Sequence, residues 1–243
     1  MRPEPTRLFA ALEATWPPAE TVDEAGWRLR RGGGGGRRVS AATRLPDAPP
    51  ADREGVAAAA AAMAKWGQAP LFQVRAGDEA LDALLAEEGY HLADPTRIFV
   101  SDAAALLDDK PEVGRVLRGA CRVALIEEIW AAGGIGAERL AVMERAPSPR
   151  TYLIGRLGDR PASVAFAATD GEITMIHAVE TLAAQRRKGA ARMLMAAAAR
   201  FAEETGARWL ALAATERNAA AGALYHRLGM QVATRYHYRV KPA

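Results

Sequence analysis

Gln185-Arg186-Arg187-Lys188-Gly189-Ala190-Ala191 lies between a short apolar run and the longest amphipathic run of the chain. Upstream, Ile173–Val179 has the pattern of a strand. Downstream, Arg187–Glu204 has the pattern of a helix: Leu194, Ala198 and Phe201 share one face, Arg192, Arg200 and Glu203 turn to water, and Gly206 stops it. A glycine at such a junction lets the backbone pass close to a ligand. The first helical turn presents unpaired N–H groups and the positive end of the helix dipole. Together these make an anion site suited to a pyrophosphate, with Arg186, Arg187, Lys188 and Arg192 adding full charges. The stretch is not a P-loop, because Gly-x-x-x-x-Gly-Lys-Ser/Thr is absent. It is not a dinucleotide fingerprint either, because Gly-x-Gly-x-x-Gly does not follow the first strand. Taken alone, it reads equally well as a helix start with solvated arginines.

Working outward, Tyr152–Leu157 and Ser163–Thr169 read as strands, and Asp170-Gly171 marks a hairpin into Ile173–Val179. After the helix come a buried-strand run, Arg208–Ala214, a second helix from Asn218 (a good N-cap) to Leu228, and a strand, Gln231–Val240. The order predicts a mixed sheet with helices on its faces. The first hundred residues follow a similar order. Gly26–Arg31 and Arg38–Leu45 are strand candidates joined by Gly32–Gly36; then come helix Ala51–Trp66, strand Leu71–Arg75, helix Asp78–Glu88 and strand Thr96–Val100. A shift of 140 positions overlays this half on the other without a gap, placing Asp78 on Asn218, Leu84 on Leu224 and Gly89 on Gly229. Two similar domains, 1–105 and 106–243, are expected, with a boundary near Ser101–Pro111.

The 243 residues carry 32 basic and 29 acidic side chains, a formal charge of +3. Only four of the basic residues are lysine, so the arginine excess is compositional and gives little reason to expect a nucleic-acid partner. The glycine run with Arg30, Arg31, Arg37 and Arg38 resembles an RGG segment, but strand patterns on both sides favour a flexible hairpin turn. Cys121, the sole cysteine, excludes a disulfide framework and any multi-cysteine metal site, and a lone buried thiol is the expected reading. The four histidines lack His-Glu-x-x-His spacing, so no metal is expected. No apolar run reaches the ~20 residues of a membrane helix, and the N-terminus lacks a signal-peptide core, so a cytoplasmic protein is expected.

Arg186-x-x-Gly189-x-Ala191 resembles the Arg/Gln-x-x-Gly-x-Gly/Ala motif of the GNAT family of acetyl-CoA-dependent N-acetyltransferases. Downstream, Asn218-x-x-Ala221-x-x-Leu224-Tyr225-x-x-Leu228-Gly229-Met230 is similar to the family's Asn-x-x-Ala-x-x-Leu-Tyr-x-x-Leu-Gly-Phe signature, with Met230 in place of Phe. The resemblance covers about 111–240, and the whole chain resembles tandem GNAT proteins whose first domain has lost the cofactor motifs. It implies an α/β (α+β) fold of two GNAT-like domains, each a mixed, mostly antiparallel twisted sheet flanked by helices. Under the shift, Lys188-Gly189-Ala190 falls on Ala48-Pro49-Pro50; proline lacks the N–H a phosphate would need, so the first half is expected to bind no cofactor. It would form one wall of the acceptor site or serve a purely structural or dimerising role.

The resemblance further implies that acetyl-CoA lies in a gap between splayed strands, here Ile173–Val179 and Arg208–Ala214. Pantetheine would run along the first strand, near Val179 and Thr181, and the pyrophosphate would rest on the amides of about Arg187–Arg192, with Asn218 capping its helix and touching the cofactor. An amine attacks the thioester directly. Tyr225 aligns with the general acid that protonates the departing thiolate. The base is His177, Glu180 or neither, with a water relay or the substrate itself as the third route; strand alternation alone puts His177 and Glu180 on opposite faces. Glu127, Glu128, Trp130, Gly133-Gly134, Tyr236, His237 and Tyr238 are candidates for the acceptor site, where Glu127 or Glu128 would attract a cationic amine or else be a solvated helix face. The acceptor is a primary amine of unspecified identity, and the protein a monomer or homodimer. Rival readings are a non-enzymatic acyl-CoA sensor and a nucleic-acid-binding protein using the Arg/Gly run.

Overall fold

Ala25 (φ 47°) and Gly26 (φ 79°) both adopt the left-handed conformation that a two-residue hairpin needs. They turn strand β1 (Glu20–Glu24) back onto β2 (Trp27–Arg31). This hairpin follows helix α1 (Pro5–Thr15) and opens a computed structural model that describes residues 2–107 and 115–241. The expected boundary region thus runs partly outside the described residues. The remaining elements of the first half are β3 (Thr43–Arg44), α2 (Arg53–Lys65), β4 (Leu71–Arg75), α3 (Glu79–Glu87) and β5 (His91–Asp102). The second half contains β6 (Val116–Gly119), α4 (Ala124–Ala132), α5 (Ala137–Arg145), β7 (Arg150–Leu157), β8 (Arg160–Asp170), β9 (Ile173–Thr181), α6 (Ala190–Glu204), β10 (Trp209–Thr215), α7 (Ala219–Arg227) and β11 (Gln231–Val240).

The eight-stranded sheet has the order β4-β11-β5-β10-β9-β8-β7-β6. Among the described residues, only β9 and β10 run parallel within it. A three-stranded sheet, β1-β2-β3, joins the β4 edge through a parallel bridge between Ala42 and Phe72. Each half therefore builds a mixed sheet, and each is completed by the other's last strand. β5 follows β4 and α3 in sequence but lies against β10; β11 follows β10 and α7 but lies against β4. The two exchanged strands pair with each other at the centre. There Tyr236 stands opposite Thr96, its own equivalent under the 140-residue shift, so a pseudo-two-fold axis passes between them.

The shift holds for α3 and α7 and slips by three residues at α2 and α6, whose N-caps are Asp52 and Gly189. The ungapped overlay fails at the turn that Gly189 caps. The glycine run also departs from expectation. Arg37–Val39 is a turn of 3-10 helix and only Thr43–Arg44 is strand, so Gly32–Gly36 is no simple hairpin turn. A Cβ on Gly35 would come within 2.5 Å of Val142 Cγ2, so this loop is packed closely against α5. That contact carries Arg37 and Arg38 towards the second half.

One sheet face packs on α6 through Leu194, Met195, Ala198, Ala199 and Ala202. The other carries α4 and α5, with Trp130, Val142 and Met143 against Tyr152, Val164 and Phe166. Beside them lies α1, whose Leu8, Phe9 and Leu12 cover Ile173, Met175 and Tyr236. The first helix of the chain is thus part of the second half's core. Cys121 is exposed, contrary to the buried thiol expected, because it precedes α4 and lies outside its buried face.

Candidate active site

β9 and β10 pair at Ile173, Thr174 and Met175 and then part, although both strands continue for several residues. β10 stays bound to β5 as far as Thr215, and β9 to β8 as far as Thr181. The inner edge of β9 beyond Met175 is left without a strand partner. A bulge interrupts β9 here: Ala178 takes φ 50°, and the pairing passes from Phe166↔His177 to Val164↔Glu180. The extra residue puts His177 and Glu180 on the same face and overrides the opposite facing that simple alternation gives. Trp130, fully buried, donates its indole N–H to the bulge carbonyl of Ala178 at 2.8 Å. It braces the bulge and does not line the cleft.

Beyond β9 the chain enters the turn singled out in the sequence. Arg187 (φ 64°) and Gly189 (φ 88°) are left-handed, and Gly189 caps α6. Among the described residues, the backbone N–H groups of Arg187 through Arg192 find no acceptor, while Met193 begins the helical ladder by donating to Gly189 O. A Cβ on Gly189 would meet no atom within 4 Å, so the space in front of these amides is open. The side chains differ in availability. Arg186 folds back onto Thr181 O (3.2 Å) and Glu180 (3.4 Å). Lys188 binds Ala184 O and Gln185. Arg187 and Arg192 are exposed and free of such ties among the described residues. The matching turn in the first half is closed to anions: Asp52 caps α2 by accepting from Gly55 N (2.8 Å), and Glu54 lies in the first turn.

Tyr225 lies on α7, buried in the α6-side core, with its ring 5.3 Å from Phe99 of the exchanged strand β5. Burial pushes its phenol up to about 12. Its hydroxyl has no hydrogen-bond partner among the described residues. Val179 packs at the edge of the same core. Asn218 caps α7 by accepting from Ala221 N at 3.2 Å.

His177 is surrounded on all sides. Thr15 Oγ1 donates to Ala11 O (2.6 Å) and lies 2.9 Å from His177 Nε2, so Nε2 is the nitrogen that bears the proton. Nδ1 accepts from Arg38 at 3.3 Å. The ring packs on Trp16 at 4.9 Å and stacks with Phe166 at 6.2 Å. Burial, with the Arg38 charge adding to it, pushes the imidazole well below 6.5. No lone pair is left to face the cleft. Glu180 keeps one carboxylate oxygen on Thr181 N (3.1 Å), and the rest of the group fills the space over Gly133, where a Cβ would lie 2.5 Å from Oε2.

A cavity of 370 Å³ opens where the splay meets the first half. Ala178, Ala213, Thr215, Tyr236 and Tyr238 line it from the sheet, Ile135 and Arg139 from the α4–α5 side, and Trp16, Gly35–Arg38, Asp94 and Thr96 from the first half. Tyr236 and Tyr238, named in the sequence as acceptor-site candidates, are both among its walls. Glu127 is not: it is exposed and paired with Arg122 at 2.8 Å, and Glu128 is exposed on the same helix. His237 turns to the other side and meets Asp82 at 2.6 Å. Trp16, Arg38 and Arg139 were not foreseen as cavity residues. Among the described residues, no three His, Cys, Asp or Glu side chains cluster as metal ligands, and no helix is long and apolar enough to cross a membrane.

The architecture is a mixed α/β sheet with a splayed parallel pair, a bulge and an amide-lined turn. Residues 120–230 match the model of the acetyltransferase (GNAT) family, so the chain carries a GNAT-family acetyltransferase domain. Solved structures extend the fold likeness to nearly the whole chain. A GCN5-related N-acetyltransferase from Kribbella flavida is 18% identical, with a TM-score of 0.72 over 98% of this chain and 95% of that one. A tandem GNAT protein of the clavulanic acid biosynthesis pathway is 15% identical, with a TM-score of 0.60 over 98% and 89%. A GNAT-family protein from Novosphingobium aromaticivorans is 16% identical, with a TM-score of 0.57 over 92% of each chain. No curated protein sequence matches the chain.

Proposed function

We propose that the second half transfers an acetyl group from acetyl-CoA to an amine bound in the seam cavity, while the first half binds no cofactor and supplies part of the cavity wall. The observation that carries this reading is the open row of backbone N–H groups at Arg187–Arg192, placed at the end of the unpaired β9 edge. Those amides and the Arg187 and Arg192 guanidinia fit a pyrophosphate. The β9 edge as far as Val179 and Thr181 offers backbone groups to an extended amide chain such as pantetheine. Asn218 serves first as a helix cap.

Acetyl-CoA supplies the activated acyl group. In the reaction the amine nitrogen bonds to the acyl carbon, the carbon–sulfur bond breaks, and the electron pair leaves with the sulfur. Tyr225 holds the proton that the departing thiolate takes; its unbonded hydroxyl, carried on a buried ring, is protonated at every physiological pH. Glu180, directly or through water, takes the proton that the amine must lose. His177 does not suit that task, since both its nitrogens are engaged and its basicity is depressed.

Calorimetry tests the cofactor site. Gly189→Asp adds left-handed backbone strain of about 1–2 kcal/mol and a carboxylate facing the phosphates. Acetyl-CoA affinity should fall at least about tenfold, the equivalent of about 1.4 kcal/mol. Unchanged affinity in this variant would remove the turn from the binding site.

A further inference from the structure

The seam cavity is lined by four guanidinium groups and one carboxylate: Arg37, Arg38, Arg139 and Arg217 against Asp94. Asp94 is spoken for, because it pairs with Arg37 and lies 4.0 Å from Arg217. Arg38 and Arg139 have no carboxylate partner among the described residues. Arg38 is the more telling. Its Nε is buried and bonds to nothing, its Nη1 is used on neutral His177, and its other neighbours are the phenols of Tyr236 and Tyr238 and the Trp16 ring, 5.9 Å away. An arginine cannot shed its charge to relieve burial. A half-buried guanidinium with a buried, unbonded Nε and no counter-ion is costly, and a carboxylate or phosphate presented to its planar fork relieves that cost with paired hydrogen bonds.

We infer that the amine acceptor carries an oxyanion, a carboxylate or a phosphate, held by Arg38 from the first half and Arg139 from the second; this rests on the acyl-transfer reading above. The cofactor's own phosphates do not account for these charges, because none of Arg186–Arg192 lines the cavity. The Trp16, Tyr236 and Tyr238 rings give the cavity apolar walls for the body of such an acceptor. Ala178, on the bulge, brings the cavity to the β9 edge, so an oxyanion at Arg38 sets the acceptor's amine near the splay. A polycationic amine would meet the surplus positive charge and be repelled.

Release of CoA by the full-length protein, at saturating acetyl-CoA, is compared for matched amines. The pairs are L-phenylalanine with phenethylamine, L-lysine with cadaverine, and phosphoethanolamine with ethanolamine. The anionic member of at least one pair should have a kcat/KM at least about tenfold higher, and the pair that shows it tells carboxylate from phosphate. Arg139→Gln, an exposed position that does not endanger folding, should raise KM for that anionic amine about tenfold with a smaller effect on kcat. It should leave KM for the neutral partner and the calorimetric affinity for acetyl-CoA unchanged. Arg38→Gln should do the same more strongly. Preference for the neutral or polycationic amines, no transfer to any anionic member, or an unchanged preference in Arg139→Gln would each overturn the inference. Acetyl-CoA binding separates the two failures: a protein that binds acetyl-CoA but prefers cadaverine sinks only the oxyanion, whereas one that binds none sinks the acyl-transfer reading as well.

Discussion

Replacing Tyr225 by Phe isolates chemistry from stability, because the hydroxyl it removes has no partner among the described residues. No intramolecular hydrogen bond is lost, and the ring keeps its 5.3 Å contact with Phe99. The expected stability change is within about 0.5 kcal/mol, the range of substitutions that break no special contact. In a chain of this size that is a Tm shift of about 1–2 °C. The rate effect is far larger. A positioned general acid contributes about 10²–10⁴-fold, which at 1.36 kcal/mol per decade is about 2.7–5.4 kcal/mol of barrier. The acid form must be present for proton donation, and it is lost only as pH rises through about 12. Any alkaline decline below that pH belongs to another group. The assay is chromogenic detection of released CoA thiol, with a blank for the exposed Cys121 of each chain. Acetyl-CoA affinity should hold steady. A variant that turns over within twofold of the parent from neutral to alkaline pH would refute the acid role. A Tm loss of several degrees would refute the reading of the hydroxyl as unbonded.

His177→Gln tests the neutral histidine. Its folded pKa is depressed, so between that value and 6.5 the unfolded chain binds more protons and stability falls as pH drops. The slope approaches about 1.4 kcal/mol per pH unit. Urea titrations at pH 7.5 and 5.5 should show that slope in the parent and its loss in the variant, while kcat/KM at pH 7.5 stays within a few-fold; a collapse in turnover would make His177 the base after all. The strand exchange predicts that 1–105 and 106–243 are each insoluble or associated when expressed alone, because β4 and β10 lose their antiparallel partners. Co-expressed halves should assemble one-to-one, and a stable monomer of either half, seen by ultracentrifugation, would contradict the exchange.

Much of the fold was legible in the sequence. α3 and α7, and β5 and β11, stand 140 residues apart because caps, stop glycines and apolar periods repeat. The left-handed turn at Gly189 was legible because a glycine breaks both the strand and the helix pattern there. Strand partners were not, since alternation says which face is buried and not which neighbour is bonded. β1, Glu20–Glu24, was missed because its residues are exposed and charged. The facing of Glu180 depended on one left-handed alanine, Ala178, which no propensity marks. Arg38 was counted among the arginines of a flexible loop; only the packing of Gly35 on Val142 places it beside His177. Glu127 was left open between an amine-attracting group and a solvated helix face because helix phase alone could not show that it faces Arg122 and water.

The crossing of β5 and β11 is the topology of a strand-swapped homodimer written into one polypeptide. Two separate copies would find each other only at sufficient concentration, and both would have to stay alike. Joined, they assemble at any dilution, and each copy is free to change alone. One kept its glycine and open amides; the other placed Asp52 and Glu54 at the same turn. Its strand backs the partner's tyrosine with Phe99, and its loop sets Arg38 in the partner's cleft. On the function proposed above, the half without open amides is the part that chooses the substrate.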